Sequence, residues 1–73
     1  MADFHTRYSV GDTIRFIGKD GRKQEETVQI IELQKAKVFG IWIMYGYGDL
    51  FKIGGIRYVS EHKIRKDQEH FYE

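Results

Sequence analysis

The 73-residue chain contains no cysteine and no proline. Without cysteine, neither a disulfide nor a thiolate metal site can supplement the hydrophobic core, and a cytoplasmic location is favoured. No apolar run approaches the roughly 20 residues that span a membrane, and the N-terminus lacks the basic start and apolar core of a signal peptide. We therefore expect a small cytoplasmic domain with no membrane partner.

An excess of charge of one sign is also missing, because 12 basic and 11 acidic residues give a net charge of +1. Proteins that coat nucleic acid usually carry a strong basic excess, since neutralising phosphates supplies most of their non-specific affinity. The balance argues against non-specific nucleic-acid binding and leaves a local basic patch open.

The sequence carries no pattern typical of catalysis. It has no cysteine nucleophile and no Gly-x-Ser-x-Gly motif. Its histidines (His5, His62 and His70) lack the spacing of a metal site. The Gly46-x-Gly48 pair lacks the helix and the Lys-Ser/Thr that complete a phosphate loop, so we interpret it as a turn. We expect no enzyme, no metal and no cofactor.

Apolar residues that alternate with polar ones predict short β-strands. The first covers residues 10–17 and leads to Asp20-Gly21, a strong hairpin-turn signal. The second, Glu26–Gln34, changes the parity of its apolar residues partway along. Such a change predicts a bulge or sharp bend near Ile30-Ile31.

The segment Val38–Gly48 is apolar on both faces of an extended strand. Trp42 and Met44 share one face with three glycines and are either covered by the chain's own tail, through Phe71 and Tyr72, or form a contact surface. The other face is expected to pack in the core and carries Phe39, Ile41, Ile43, Tyr45 and Tyr47.

The C-terminal third predicts strands at Leu50–Ile53 and Ile56–Val59, which flank Gly54-Gly55, either a second turn or a kink in one long strand. A 3₁₀ or helical turn near residues 60–63 and a short strand at 64–66 would follow. A helix over residues 60–72 is the alternative, with Ser60 as its cap. Its apolar stripe would be thin for a core helix. With tight turns and no proline, the pattern favours a closed or nearly closed barrel.

The chain resembles an SH3-like small barrel of the Tudor and KOW type over residues 8–66. The resemblance rests on the opening Val10-Gly11-Asp12-x-Ile14-Arg15-Phe16, the glycine-containing loop 18–23, the curved second strand and Tyr58-Val59-Ser60-Glu61-x-x-Ile64. It implies an all-β, five-stranded barrel, with an N-terminal arm (1–7) and a C-terminal tail (67–73). The KOW glycine is not evident in strand two, so no transcription or ribosome role is carried over.

The resemblance implies a binding module, similar to small accessory proteins of phages or plasmids. We expect a protein partner, with a homodimer as a further possibility, and the aromatic turn and strand would supply the contacts: Trp42, Met44, Tyr45, Tyr47 and Phe51. Tyr45 and Tyr47 are equally suited to closing the end of the barrel. The basic first loop, Lys19 to Lys23, is interpreted as solvated.

The alternative function is nucleic-acid binding by a local basic patch, with exposed tyrosines that stack on bases. The residues that the fold could gather for this purpose are Lys52, Arg57, Lys63, Arg65 and Lys66.

Overall fold

A computed structural model describes residues 5–38 and 40–71, with the backbone alone for His70 and Phe71. The described chain is mostly β, as the sequence predicts. Its elements in order are β1 (Thr13–Ile17), β2 (Lys23–Thr27), β3 (Ile30–Ala36), β4 (Gly40–Gly48), β5 (Ile56–Ser60) and α1 (Glu61–Phe71).

The strands form two antiparallel sheets, one made of β1 and β2 and the other in the order β3-β4-β5. Neither sheet closes on itself, so the structure does not show a closed five-stranded barrel. The two ends that would meet in a barrel, β1 and β5, do not pair.

The second and third strands are one continuous segment that bends between Val28 and Gln29. The N–H of Val28 donates to the carbonyl of Asp12 (2.9 Å), whereas the next N–H, that of Gln29, donates to Gly46 (2.7 Å). The chain therefore changes its pairing partner between adjacent residues. The sequence predicted a bulge or bend near Ile30-Ile31, but these two residues pair in regular register with Gly46 and Tyr45, and the change of partner lies before them.

The turn between β1 and β2 forms at Asp20-Gly21, as predicted. Gly21 adopts a φ of 79°, a conformation that glycine enters without steric penalty. The carboxylate of Asp20 accepts the N–H of Arg22 at 3.1 Å, and the N–H of Gly18 donates to the Arg22 carbonyl at 2.8 Å.

The core lies between the hairpin, the inner face of β4 and the helix. Tyr45 is fully buried, and its hydroxyl accepts the N–H of Tyr8 at 3.2 Å. Ile43 and Tyr47 pack against the core as predicted, whereas Ile41 is exposed and Phe39 lies outside the described residues. The buried apolar residues are Ile14, Phe16, Val28, Tyr45, Val59 and Ile64.

Residues 61–71 form a helix, which was the alternative expectation for this segment. The expected strand at 64–66 is therefore wrong, and the helix continues into the segment from 67 that was expected to be a tail. Ser60 caps the helix, because its Oγ accepts the N–H of Lys63 at 3.0 Å. Ile64 is fully buried and Asp67 nearly so. The buried face of this helix is partly polar, which is why its apolar stripe is thin.

The polar side chains of α1 bind the open edge of β1. Hydrogen-bonded pairs alternate in an antiparallel ladder, so the bond from Gly18 to Arg22 implies that Ile17 and Arg15 direct their backbone groups away from β2. Asp67 accepts the N–H of Ile17, and the Gln68 amide donates to the Arg15 carbonyl.

Candidate ligand-binding groove

A groove of about 1210 Å³ lies along the line where the two sheets meet without pairing. The turn of the first hairpin (residues 17–24) forms one wall. Residues 57–60 of β5, with Lys63 of α1, form the opposite wall, and the groove continues to the ends of β3 and β4. Small-molecule sites usually measure about 300–1,000 Å³, so this groove has the size for an extended ligand.

The groove is strongly basic, although the chain as a whole is nearly neutral. Arg22 lies 3.7 Å from Asp20, and Lys63 lies 2.6 Å from Asp67 at the groove margin. One carboxylate, Asp20, lines the groove against six cationic side chains, namely Lys19, Arg22, Lys23, Lys35, Arg57 and Lys63.

Three of these cations have no carboxylate within ion-pair distance in the part of the chain that the structure describes: Lys19, Lys35 and Arg57. They come from three different elements, the hairpin turn, β3 and β5. Cations held close together without acidic partners make a site that attracts polyanions.

Aromatic rings lie among these charges. Phe16 and Tyr47 pack against each other, with ring centroids 5.4 Å apart. Burial, followed by the nearby charge of Glu26, raises the pKa of Tyr47. Tyr58 is 41% exposed, and its hydroxyl donates to Glu32 Oε1 at 3.0 Å. That hydrogen bond raises the pKa of Tyr58.

Trp42 is half-buried, and its indole contacts His62 of α1 edge to face, with ring centroids 5.7 Å apart. The start of the helix thus covers part of the ring. Trp42 also borders a smaller pocket of about 330 Å³, shared with Ile41, Ile43 and Arg65. The suggested cover, the side chains of Phe71 and Tyr72, lies outside the described residues.

The structure divides the residues expected to bind a protein partner. Trp42, Met44 and Tyr47 line the groove. Tyr45 does not, because it is fully buried in the core, where it cannot meet a partner. Phe51 also lies outside the groove and is 98% exposed on the loop between β4 and β5.

The residues expected to bind nucleic acid are divided as well. Arg57 and Lys63 line the groove, and Arg65 borders the smaller pocket. Lys52 and Lys66 line neither. Sequence reasoning treated the basic hairpin loop as solvated and did not select Lys35 or Tyr58. Lys35 and Tyr58 lie in segments that the sequence predicted as strands or their ends, but only the topology brings them beside the hairpin.

The loop between β4 and β5 holds apolar side chains in solvent, where a strand was expected. Leu50, Phe51 and Ile53 are 52%, 98% and 108% exposed. The loop is fixed by its own hydrogen bonds: Asp49 Oδ1 accepts the N–H of Phe51 at 2.9 Å, and the Asp49 N–H donates to the carbonyl of Gly55 at 3.0 Å. We call Leu50–Ile53 the apolar tip.

No group of three metal-binding side chains occurs in the described ranges. Among the same residues, no helix has the length and apolar character needed to cross a membrane. Comparison with family models, curated proteins and solved structures finds no match to this chain. Arguments about its function therefore start from the groove and the apolar tip.

Proposed function

We propose that this chain is a non-catalytic binding module whose groove binds nucleic acid. The proposal is based mainly on the charge of the groove, which is lined by six cations and one carboxylate in a chain of net charge +1. Phosphate contacts supply most of the affinity in nucleic-acid binding, and aromatic rings beside the cations offer contacts for bases.

The affinity should depend strongly on salt. If the three cations without carboxylate partners each contact one phosphate of a single strand, the slope of log K against log salt is about −2. Binding should then weaken roughly twentyfold between about 50 and 200 mM salt. Anisotropy of a labelled mixed-sequence 12-nucleotide DNA measures this slope.

Charge reversal in the groove tests its location. Lys35→Glu should lower the affinity and make the salt slope shallower by about 1 or more. Lys52→Glu is the matched control, because Lys52 is exposed and does not line the groove. Equal losses in both variants would indicate a diffuse charge effect and contradict a groove site.

An acidic polypeptide is the competing ligand for the same charges. Poly-glutamate of similar charge should compete weakly, because it offers no bases to the aromatic rings. If it bound as tightly as the oligonucleotide at 50 mM salt, or if no oligonucleotide bound, the nucleic-acid proposal would be abandoned.

A second candidate function, contact with a protein partner, is supported by the apolar tip. Large apolar side chains held rigidly in water are uncommon unless they are covered by another molecule. The hydrogen bonds of the loop fix its backbone in advance, which lowers the entropy lost on binding. Phe51 is therefore still proposed to contact a protein partner, whereas Tyr45, which is fully buried, is not.

Substitution at the tip tests the protein partner. A chain carrying Phe51→Ser and Ile53→Ser should lose a partner that wild type captures by cross-linking in host extract. Val38→Ser is the control, since Val38 is also an exposed apolar residue, at 81%. A partner retained by the tip variant and lost by the control would remove the tip from the proposal.

The SH3-like relationship also remains a proposal. It is supported by the bent segment that pairs first with β1 and then with β4. In this arrangement side chains of α1 occupy the edge of β1 that pairs with the last strand in a complete barrel.

A further inference from the structure

The outer face of the three-stranded sheet carries two aromatic side chains that also line the groove. Trp42 and Gly46 lie on the same face of β4, and Gly46 pairs with Tyr58 of β5. Tyr58 is therefore displaced from Trp42 by about 13 Å along the strand direction, given about 3.3 Å per residue. Met44 lies between them.

Tyr58 is held in place on this face. Glycine at 46 leaves room for the ring, because a methyl group there would come within 3.1 Å of Tyr58 Cε1 and would collide with Ile30. The hydrogen bond to Glu32 fixes the hydroxyl end of the ring. A ring fixed on its sides and 41% exposed presents a flat surface to the groove.

Two cations lie next to the strand positions of the rings, on the opposite face of the sheet. Gln34 is paired with Trp42, so Lys35 is the next residue on the neighbouring strand. Arg57 adjoins Tyr58 in sequence, on the edge strand β5, and lines the same groove. Both cations belong to edge strands of the sheet and line the same groove as the rings, so one ligand in the groove can reach cations and rings together.

We infer that the ligand of the groove is single-stranded nucleic acid, with bases stacked on Trp42 and Tyr58 and phosphates bound by the cations that line the groove. The inference rests on the proposed function of the groove. Bases in a duplex are stacked on one another and paired, so they expose their edges and phosphates but not their faces. A duplex could use the cations, but only an unpaired strand can use the rings.

The first experiment compares a mixed-sequence 12-nucleotide DNA with the duplex formed with its complement, at 50 mM salt. We expect at least tenfold tighter binding of the single strand. We also expect quenching of the fluorescence of Trp42, the only tryptophan, by the single strand alone. This measurement needs no variant and is unaffected by folding defects.

The second experiment uses Tyr58→Ala with Tyr58→Phe as its control. The alanine variant should bind the single strand about 5- to 150-fold more weakly, the equivalent of about 1–3 kcal/mol per stacked base. Its affinity for the duplex should be unchanged. The phenylalanine variant keeps the ring and should bind like wild type, although it loses the contact with Glu32.

The outcomes distinguish base stacking on the rings from nucleic-acid binding by the groove as such. Equal binding of both DNAs without a change in Trp42 emission would overturn base stacking and leave the groove as a phosphate-binding site. Binding of neither DNA at 50 mM salt would overturn the proposed function itself, and with it this inference.

Discussion

The carboxylate of Asp67 accepts a hydrogen bond from the backbone N–H of Ile17, with 2.9 Å between Oδ2 and N. The same oxygen lies 2.6 Å from Lys63 Nζ, one helical turn earlier. One buried acidic side chain thus joins the helix to the first strand, across 50 residues of sequence. We call this contact of Asp67 with Ile17 and Lys63 the joint.

Removing the carboxylate should destabilise the fold. Asp67→Ala leaves the Ile17 N–H without its partner, which we expect to lower the free energy of unfolding by about 1–3 kcal/mol. Glu69→Ala is the control on the same helix, because Glu69 is exposed, and should stay within about 0.5 kcal/mol of wild type. Urea denaturation measures both. Equal stability of the two variants would mean that the joint adds nothing.

Acid should weaken the same joint. Burial raises the pKa of Asp67, but the hydrogen bonds from Lys63 and from the Ile17 N–H outweigh burial and lower the pKa below 3.8. Near that pH the unfolded chain therefore binds more protons than the folded one, so stability is present above pH 3.8 and is lost as the pH falls through the folded pKa. Asp67→Asn removes this titration.

The measurement is the difference in unfolding free energy between wild type and Asp67→Asn across pH. The difference should be constant at neutral pH and should shrink below about pH 4. A difference that does not change with pH would contradict a lowered pKa in the folded state.

The helix should unfold together with the sheets. Ile64→Val trims a fully buried side chain and should lower stability by about 0.5–1.5 kcal/mol. Arg65→Ala, on the exposed side, should change it by less than about 0.5 kcal/mol. Trp42 emission reports β4 and its contact with the start of the helix, whereas far-UV circular dichroism includes the whole helix, so coincident urea transitions are expected. Separate transitions would show that α1 is a detachable tail.

Gly46 should not tolerate a side chain. A methyl group there meets Ile30 Cγ2 and lies 3.1 Å from both Ile56 and Tyr58. We expect Gly46→Ala to lower stability by about 1–3 kcal/mol through overpacking. In an Ile30→Ala background the loss should be smaller by at least about 0.5 kcal/mol, because one clash is removed. A double-mutant cycle by urea denaturation gives this coupling, and additive effects would contradict the contact.

The local features of the fold were predictable from sequence because local chemistry decides them. The Asp20-Gly21 turn follows from glycine's positive φ and the hydrogen bond of Asp20 to the backbone. Alternation along β4 identified the face that carries Ile43 and Tyr45. The helix was underestimated because its inner side includes Asp67, which bonds to the backbone of β1 instead of packing as an apolar residue.

The site was less predictable because it depends on long-range topology. Lys19 and Arg57 lie 38 positions apart in sequence and line the same groove only because the fold brings the hairpin turn near β5. The predicted strand at Leu50–Ile53 failed for a related reason. Backbone bonds between Asp49 and Gly55 close this segment into a loop, although its residues are apolar enough for a strand.

The joint between Asp67 and Ile17 also affects the timing of folding during synthesis. A domain generally folds as a unit, so it completes its fold only when all the residues it needs have left the ribosome. Here β1 emerges early, yet the side chains that complete its open edge belong to residues 67 and 68. The nascent chain must therefore keep an unpaired strand edge in solution until the helix has left the exit tunnel, and its last step of folding follows the synthesis of Gln68.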